Sequence, residues 1–578
     1  MRTIEPVRAA APEAILGGPS TFSAVAPDAG SVPRFERGAM IERLCEQDFD
    51  VLVIGGGITG AGVALDAETR GLRTALVEAD DFASGTSSKS SKLVHGGLRY
   101  LQQGEIRLVY DSLHERERLR RNAPHLVKLL PFMIPILTRE GLIPRRVARA
   151  LGTAMWMYDL TGGFRIGKLH KRLDAEEAFA HLPTMPQERL AGAYLYYDAT
   201  TDDARLVLTI ARTAANQGAV IVNRARVVGL TRDGDGQVDG AIVDLGDRRC
   251  EVRARAVVNA AGVWSDEVRT LEDGVDPDSI RPAKGIHLTV PWEKVRNDIA
   301  VVIPVAGDKR SLFVVPWGRR ADGTFEHTYV GTTDTDFTGP LDDPPCTAED
   351  IAYVLGALNA VVTTEITPAD VTGVWAGLRP LVKSEPSHRT ADLSRRHRVT
   401  IGAAGLVTVT GGKLTTYREM AEDTVDVVAE RLGHEARCRT KKLPLLGADG
   451  YREAPPGTLA AHLGGRYGTL ATELDSLIAA DPALGAPLID GLPHVRAEAV
   501  YAVRHEMATT LVDVLVRRTR AHLFDRPATL AAAPAVATLI GAELGWDDAE
   551  TARQLEHYRA VVAAEVSDAS SFPTPTPA

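Results

Sequence analysis

Residues 84–105, SGTSSKSSKLVHGGLRYLQQGE, concentrate side chains that could do chemistry: hydroxyls, two lysines, a histidine, an arginine and a tyrosine. Glycines separate these groups, and the aliphatic residues follow neither the period of a strand nor that of a helix. Two interpretations fit such a segment. It is either a solvated surface loop or a stretch of backbone laid against a bound ligand, and the residues alone leave both open.

The preceding segment, VLVIGGGITGAGVALDAETRGLRTALVE, carries glycines at spacings that suit a dinucleotide. Gly55 permits a tight turn after a predicted strand at Val51–Ile54. Gly57 lets backbone amides approach a pyrophosphate, and Gly60 lets the following helix pack closely on the strand. The N-terminus of that helix then offers unpaired N–H groups to the phosphates.

A second predicted strand, Thr74–Val77, ends at Glu78, about 20 residues after the glycines. A carboxylate there can accept hydrogen bonds from both ribose hydroxyls. It would repel a 2′-phosphate, so the pattern disfavours NADP. An isolated glycine motif is weak, but strand, glycines, helix, strand and terminal acid in register predict a dinucleotide site.

Composition sets wider limits. A chain of 578 residues is long enough for about two or three domains. The formal net charge of −10 argues against general nucleic-acid binding. The cysteines form no CxxC pair, which predicts reduced thiols in a cytosolic compartment and no structural zinc; they are Cys45, Cys250, Cys346 and Cys438. No apolar run reaches the roughly 20 residues that span a bilayer.

The two ends of the chain differ from its middle. Residues 1–47 are rich in Ala, Pro, Gly and Ser, without the apolar core of a secretory signal. They predict a disordered extension that ends in a short helix near Met40–Cys45. Residues 567–578 predict a disordered tail. Residues 441–566 predict a helical domain, because apolar residues recur there at helical spacing.

A second glycine-rich segment lies late in the chain. Its pattern predicts a strand at Leu406–Thr410, a turn at Gly411 and Gly412, and an amphipathic helix at Thr416–Leu432. Strand-like runs alternate with polar turns between the two glycine-rich segments. This arrangement is typical of flavoproteins, in which one nucleotide-binding fold is interrupted by a substrate domain.

Several further segments occur in one order along residues 48–430: DFASGTSSKSSKLVHGGLRYL, LPFMIP, YYDATTDDARL, VVNAAGVWSD, KGIHLTV, YVGTTDTDF, GLRPL and GGKLTTYREMAED. With the first glycine motif, this set resembles the FAD-dependent glycerol-3-phosphate dehydrogenase family. YAVRHEMATTLVDVLVRRTR resembles the family's C-terminal cap. The chain departs from the family in its N-terminal extension and lacks the DxDxDG calcium loop of the mitochondrial members, so no metal is expected.

The resemblance implies an α/β fold. Its nucleotide-binding part is a Rossmann-like FAD domain of the glutathione-reductase/D-amino-acid-oxidase type. A substrate domain is inserted at roughly 126–199 and 263–400 within a unit spanning 48–430. A C-terminal helical domain follows at 441–566.

The expected cofactor is FAD, and the resemblance lays residues 84–101 along it. The predicted cofactor-binding residues are Gly55, Gly57, Ile58, Thr59, Gly60, Glu78, Thr86, Ser87, Ser88, Lys92, Leu93, His95, Gly96, Val227, Ala261, Gly262, Gly412, Lys413, Leu414 and Thr415. In this interpretation the hydroxyls bind phosphate or ring edges, and Lys92 and His95 face the flavin.

The implied reaction is oxidation of sn-glycerol 3-phosphate to dihydroxyacetone phosphate, with hydride passing from C2 to flavin N5. Phosphate is best bound by arginine, whose planar fork meets two oxygens at once. Arg379 is one candidate, in a predicted Gly-Leu-Arg-Pro turn after a strand-like segment. His95 is the first choice as proton acceptor and His287 the second. The predicted catalytic residues are His95, Arg99, Tyr100, Arg379, Arg395 and Lys413.

Family members pass the electrons either to a membrane quinone or to oxygen. Residues 101–149 are basic and include the apolar run LVKLLPFMIPIL, which is either an interfacial membrane contact or a buried strand. The resemblance favours quinone as acceptor and peripheral attachment to the cytoplasmic face of the plasma membrane, with a homodimer also expected. An oxygen-using oxidase, another FAD oxidoreductase and a non-catalytic flavin-binding regulator are the alternatives.

Overall fold

The structure, a computed structural model, describes residues 35–98, 105–137, 152, 155–159, 162, 167–305, 310–383 and 396–566. Two β-sheets and a helical C-terminal domain make up this part of the chain. Each sheet has its own buried apolar core, and the C-terminal helices form another.

The strands of the described residues are, in chain order, β1 (Phe49–Ile54), β2 (Thr74–Val77), β3 (Leu93–Val94), β4 (Lys128–Leu137), β5 (Lys171–Leu173), β6 (Leu190–Thr200), β7 (Val220–Val222), β8 (Arg226–Arg232), β9 (Val238–Asp244), β10 (Arg249–Asn259), β11 (Ile280–Pro291), β12 (Ala300–Pro304), β13 (Ser311–Arg319), β14 (Phe325–Gly331), β15 (Thr335–Asp336), β16 (Gly373–Val382), β17 (His397–Ile401) and β18 (Val407–Gly411).

The α-helices of the described residues are α1 (Arg37–Glu46), α2 (Ile58–Thr69), α3 (Ile106–Asn122), α4 (Ala175–His181), α5 (Asp203–Gln217), α6 (Ser265–Asp273), α7 (Trp292–Val295), α8 (Ala348–Asn359), α9 (Tyr417–Leu432), α10 (Leu459–Tyr467), α11 (Ala471–Ala480), α12 (Arg496–Glu506), α13 (Ala521–Phe524), α14 (Arg526–Leu544) and α15 (Asp548–Ala564).

The first sheet is the nucleotide-binding fold, with strand order β17-β18-β10-β1-β2-β7. From β18 to β7 the neighbours run parallel, and Ile54 pairs with both Val77 and Asn259. β1 and β2 are buried along nearly their whole length, as parallel strands covered on both faces are. Their carboxyl ends therefore meet at one edge, where ligands of open α/β sheets bind.

The second sheet has strand order β15-β11-β14-β13-β12-β4-β6-β3, with β16 paired to β11. Its strands come from residues 93–200 and 280–382, compared with predicted segments of 126–199 and 263–400. β4 contains most of LVKLLPFMIPIL and pairs with β6 along its length, with Phe132 and Met133 fully buried. The interfacial interpretation of this run is wrong, because its apolar side chains fill the core of the sheet.

The chain is ordered earlier than predicted. Residues 1–47 were expected to be disordered up to a short helix near 40–45, but α1 already begins at Arg37. The Glu36 carboxylate caps it by accepting hydrogen bonds from the backbone N–H groups of Gly38 and Ala39. Met40 and Leu44 are buried in the core of the first sheet, so α1 belongs to the nucleotide-binding fold. Residues 1–34 and 567–578 lie outside the described residues.

The C-terminal domain is helical, as predicted, but its central helix is not continuous. α12 ends at Glu506, and Met507 takes a left-handed conformation with φ of 54°. A π-helical turn, Asp513–Arg518, follows. The apolar residues on both sides of this break are buried in the domain core. Their spacing reflects two packed segments instead of one helical stripe.

Within the described residues, α14 is long and apolar enough to cross a membrane by length and composition. Its buried face, with Val536, Ala537 and Ile540, packs into the core of the C-terminal domain. The core helix of a globular domain has the same composition, so α14 is weak grounds for a membrane span.

The packing of α1 gives a stability prediction. Leu44→Ala should cost about 2–4 kcal/mol, because Leu44 is fully buried and the truncation leaves a cavity. Glu42→Ala, on the exposed side of the same helix, should change stability by less than about 0.5 kcal/mol. Urea denaturation followed by tryptophan fluorescence and circular dichroism measures both. Equal midpoints for the two variants would show that α1 does not pack in solution.

Candidate active site

The turn between β1 and α2 is shaped by close backbone contacts. Gly55 has φ of +111°, a conformation that side chains rarely adopt. A Cβ on residue 60 would lie 1.9 Å from the Gly55 carbonyl oxygen. A Cβ on Gly57 would lie 3.1 Å from Ser87 Oγ, which accepts a hydrogen bond from Ile58 N at 2.9 Å. Ser87 therefore sits directly on the N-terminus of α2, where phosphate binds in such turns.

Glu78 follows β2 and holds the glycine turn. One carboxylate oxygen accepts from Gly56 N at 2.6 Å and the other from Asp80 N at 2.9 Å. Burial raises the pKa of Glu78, although both backbone hydrogen bonds oppose the shift. Each oxygen keeps a second lone pair, so the fixed carboxylate can still accept hydrogen bonds from a ribose.

These residues open onto a cavity of about 1000 Å³ at the carboxyl edge of the first sheet. Its predicted lining residues are Gly55, Gly57, Ile58, Thr59, Glu78, Thr86, Ser87, Ser88, Val227, Ala261, Gly262, Gly412, Lys413 and Leu414. The cavity runs from the phosphate-binding turn and the ribose carboxylate to the late glycine turn. Its residues therefore fit FAD, and glycines occur where a side chain would fill the space.

Of the six remaining predicted cofactor residues, four lie behind the cavity wall: Gly60, Leu93, Gly96 and Thr415. Gly60 packs on the Gly55 carbonyl, and Leu93 belongs to the core beneath the second sheet. A Cβ on Gly96 would collide with Leu113, and Thr415 Oγ1 accepts from His95 N at 3.2 Å. These residues shape the wall from behind.

Lys92 does not face the cavity, contrary to the prediction. Its Nζ lies 3.5 Å from an oxygen of Asp203 and 4.3 Å from the centre of the Trp375 ring. Burial lowers the pKa of Lys92 to about 8, against the opposing effect of Asp203. Its φ of 56° turns the chain so that the side chain points into the protein.

Arg379 lies in a strand of the second sheet. The glycine and proline beside it predict a turn, and that prediction is wrong. Arg379 belongs to β16 and pairs with Ala283 of β11. Its guanidinium donates to Thr332 Oγ1 and the Thr333 carbonyl, both at 3.1 Å, and contacts Asp334 at 3.3 Å. These contacts fix the orientation of a partly exposed planar fork.

Lys413 follows the late glycine turn, in which Gly411 and Gly412 have φ of 74° and 79°. It lines the cavity and begins the short turn Leu414–Thr416 that leads into α9. The positive charge of Lys413 acts on His95, so the two predicted catalytic residues lie near each other. Arg99, Tyr100 and Arg395 lie outside the described residues.

Both candidate histidines are held neutral. Burial lowers the pKa of His95 to about 4, with Lys413 and Arg116 adding to the shift and Asp198 opposing it. Burial, with Lys92 and Arg379, lowers the pKa of His287 well below its usual range.

The surroundings of His95 and His287 differ. His287 is stacked on Trp375 at 4.8 Å and shares a hydrogen bond of 2.8 Å with Ser91 Oγ. His95 is the more accessible of the two. A neutral imidazole can accept a proton, so both histidines meet that requirement at neutral pH.

Sequence reasoning missed several residues of the site. Trp375 lines the cavity and connects Lys92 to His287. Buried Asp198 accepts from Gly96 N at 3.1 Å, Tyr158 OH at 2.7 Å and Arg116 Nη1 at 2.5 Å, and so holds the His95–Gly96 turn from behind. The available signal for Asp198 was a single charged residue in the otherwise uncharged strand sequence LAGAYLYYDAT.

Comparison with known proteins agrees with this geometry. Residues 50–418 match the family model described as FAD dependent oxidoreductase, and residues 438–551 match the C-terminal domain of alpha-glycerophosphate oxidase. "Glycerol-3-phosphate dehydrogenase 2" of Mycobacterium bovis is 41% identical, over 92% of this chain and 91% of its own length. The human mitochondrial glycerol-3-phosphate dehydrogenase is 37% identical, over 89% of this chain and 73% of its own.

Among solved structures, the glycerol-3-phosphate dehydrogenase from Bacillus halodurans complexed with FAD superposes with a TM-score of 0.73 at 30% identity. The match covers 92% of this chain and 98% of that one. The FAD-bound L-alpha-glycerophosphate oxidase of Mycoplasma pneumoniae shares the fold, with a TM-score of 0.53 at 18% identity. The site, the fold and both domains thus agree: the chain belongs to the glycerol-3-phosphate dehydrogenase family of FAD-dependent oxidoreductases.

Proposed function

We propose that this protein oxidises sn-glycerol 3-phosphate to dihydroxyacetone phosphate and delivers the electrons to a membrane quinone. One observation carries the substrate assignment. β16 supplies Trp375, Ala376 and Pro380 to the cavity wall and carries Arg379 on the same strand. A cation suited to phosphate therefore stands beside the cofactor cavity, as oxidation of a phosphorylated alcohol requires.

FAD, when bound, supplies the two-electron acceptor for the C2 hydrogen. Residues of this chain hold and orient the reactants. The N-terminus of α2 and Ser87 bind negative charge at the pyrophosphate end, and Glu78 holds the ribose. Arg379 binds the substrate phosphate, while Lys413 contributes positive charge from the cavity wall.

We assign the proton acceptor to His95. It is more accessible than His287, whose Nε2 already shares a hydrogen bond with Ser91. Asp198 accepts from Gly96 N and so fixes the backbone beside His95. Nearby Lys413 stabilises the negative charge that develops on the substrate oxygen as the proton leaves.

The proposal of a quinone as electron acceptor rests on an exposed apolar patch of the protein surface. Exposed apolar side chains occur on α3 and on the segments near residues 156 and 169: Ile106, Tyr110, Trp156, Met157 and Leu169. Leu113, on the same side of α3 as Ile106 and Tyr110, shares a buried cluster with Tyr158 and packs beside Gly162, which brings these segments together.

Exposed basic residues adjoin these apolar residues in the sequence: Arg107, Lys168 and Lys171. An apolar patch with basic residues beside it suits an anionic lipid surface, in which quinone dissolves. We therefore propose peripheral attachment to the cytoplasmic face of the plasma membrane. The homodimer stays a prediction.

The phosphate assignment predicts that Arg379→Lys raises KM for glycerol 3-phosphate by at least about 10-fold, equivalent to about 1.4 kcal/mol. Lysine keeps the charge but loses the planar fork. Arg281→Lys is the matched control, because Arg281 lies in the neighbouring strand β11 and pairs with Asp336 at the surface. Steady-state kinetics of both FAD-loaded variants decide the point. If the KM of Arg379→Lys equals that of the wild-type enzyme, Arg379 does not bind the substrate phosphate.

The assignment of His95 predicts a pH signature. Above its pKa of about 4 the imidazole is neutral and can accept a proton, so its contribution to kcat/KM should be constant at neutral pH and fall only as the pH approaches 4. His95→Gln should lower kcat by about 10²–10⁴-fold and abolish this acid limb. The ratio of the two pH profiles cancels the titration of the substrate phosphate, near about 6.

His114→Gln, at a partly exposed position of α3, serves as the control and should match the wild type. An inflection near about pH 6.5 in the ratio would show that His95 is not desolvated as the structure indicates. Full activity of His95→Gln would transfer the proton-acceptor role to another group.

The membrane assignment predicts that the wild-type enzyme sediments with anionic phospholipid vesicles and is partly released by 1 M salt, at which the screening length falls to about 3 Å. Replacing Trp156, Met157 and Leu169 with serine should reduce binding at least about 10-fold and leave flavin reduction by glycerol 3-phosphate intact. Val275→Ser with Ile401→Ser, at exposed apolar sites elsewhere, is the control.

Reoxidation of the substrate-reduced enzyme distinguishes the acceptors. Faster reaction with a quinone analogue than with air supports the dehydrogenase. Faster reaction with air, with stoichiometric peroxide, would identify an oxidase on the same fold.

A further inference from the structure

The segment Arg517–Arg526 of the C-terminal domain is inserted between the two sheets. The Leu523 carbonyl accepts from Thr289 Oγ1 at 2.8 Å, and the Phe524 carbonyl accepts from Thr372 Oγ1 at 2.8 Å. A Cβ on Gly373 would lie 2.2 Å from the Leu523 carbonyl oxygen, so backbone meets backbone here. The segment is therefore fixed against β11 and the start of β16 beside the cofactor cavity, which Leu523 also lines.

Arg520, in this segment, contacts the cofactor loop, residues 84–98. Its side chain is 1% exposed, and its φ of 66° is rare for a residue with a side chain. It follows the π-helical turn Asp513–Arg518, a conformation often found at functional sites. One of its terminal nitrogens, Nη2, donates to the Ser88 carbonyl at 2.5 Å and to Asp203 Oδ1 at 2.9 Å. Both Arg520 and Ser88 line the cavity.

Asp203 holds the same loop from its other side. It is the fully buried first residue of α5. Its second oxygen accepts from Ser90 N at 3.0 Å and from Ser90 Oγ at 2.7 Å, and Lys92 Nζ lies 3.5 Å from its first oxygen. Residues 88–92 are thus bonded at successive points to one carboxylate and one guanidinium.

We propose that Arg520, acting with Asp203, is a positioning residue for the cofactor: the pair holds residues 88–92 in the shape that receives FAD, so FAD retention depends on the C-terminal domain. The proposal rests on the FAD site described above and adds a residue from outside the 50–418 unit that forms it. The nearby pairs of Arg517 and Arg518 with Asp81 fasten the two domains together without reaching residues 88–92.

The first test is FAD release from the purified holoenzyme, followed by the rise in free-flavin fluorescence after dilution. Arg520→Met should speed release at least about 10-fold and shift the absorption spectrum of the remaining bound flavin. Arg520→Lys should lie between, because one ammonium can replace only part of the fork. Arg504→Met is the control, since Arg504 pairs with Glu543 at the surface of the same domain. Release from Arg520→Met at the wild-type rate would overturn the proposal.

Two further variants guard against simple misfolding. Arg520→Met combined with Asp203→Asn removes both charges of the pair, so no carboxylate is left without its guanidinium. Lys92 also loses its partner in this variant, but burial already lowers its pKa to about 8, so it can release its proton. Ser90→Ala removes one contact of Asp203 without exposing a charge and should speed release a few-fold. In a double-mutant cycle, Ser90→Ala should have almost no further effect on top of Arg520→Met, because both act through one loop.

Independent, additive effects in that cycle would overturn the proposal, as would tight FAD retention by the charge-balanced variant. None of these outcomes depends on the substrate. Flavin reduction by glycerol 3-phosphate in the wild-type enzyme tests the proposed function separately.

Discussion

The contact between residue 60 and the Gly55 carbonyl is the constraint on which the rest of the nucleotide site depends. A Cβ at residue 60 would lie 1.9 Å from that oxygen, so only glycine lets α2 start against the end of β1. This approach points the helix N-terminus into the space beyond the parallel strands. Glu78, Ser87 and the late glycine turn are then brought to one edge because the strands that precede them are in register.

A different use of glycine explains the error at Arg379. Glycine and proline on either side of Leu-Arg are ordinary turn residues, so the local pattern predicts a turn. Gly377 instead lies in β16, opposite Gly285, and a Cβ there would lie 2.7 Å from the Lys89 carbonyl. The glycine makes room for the cofactor loop to cross the sheet. Glycine is required at position 377 because Lys89 packs there, and the two residues are almost 290 positions apart in the sequence. No short window of sequence contains both.

The same distinction separates what the sequence could predict from what it could not. The first glycine motif, its strands and Glu78 lie within 30 residues, and their spacing encodes their geometry. The run at 126–137 is apolar in both a buried strand and an interfacial segment, and only its pairing with β6 decides between them. The sequence around Lys92 predicts that it faces the flavin, but its side chain is buried and its Nζ lies 3.5 Å from Asp203. Arg520 meets Ser88 across 432 positions, and its role emerges only from the folded chain.

The interface between the C-terminal domain and the nucleotide fold is ionic where an apolar interface would also pack. Arg517 and Arg518 contact buried Asp81 at 2.6 and 2.7 Å. Burial alone would raise the pKa of Asp81, but Arg518 and Arg517 outweigh it and hold the pKa below its usual range. The stability from this depressed pKa is present above the unfolded value of about 3.9 and is lost only as the pH falls below it.

The two ion pairs of Asp81 are therefore insensitive to pH under physiological conditions. Buried ion pairs are costly to desolvate and give little net stability, but their directional hydrogen bonds define one geometry. Because Arg518 is fixed in this geometry, the position of Arg520, two residues further along the chain, is fixed as well. Fixed charge at the domain boundary is thus what allows a distant helical domain to position a loop of the cofactor site.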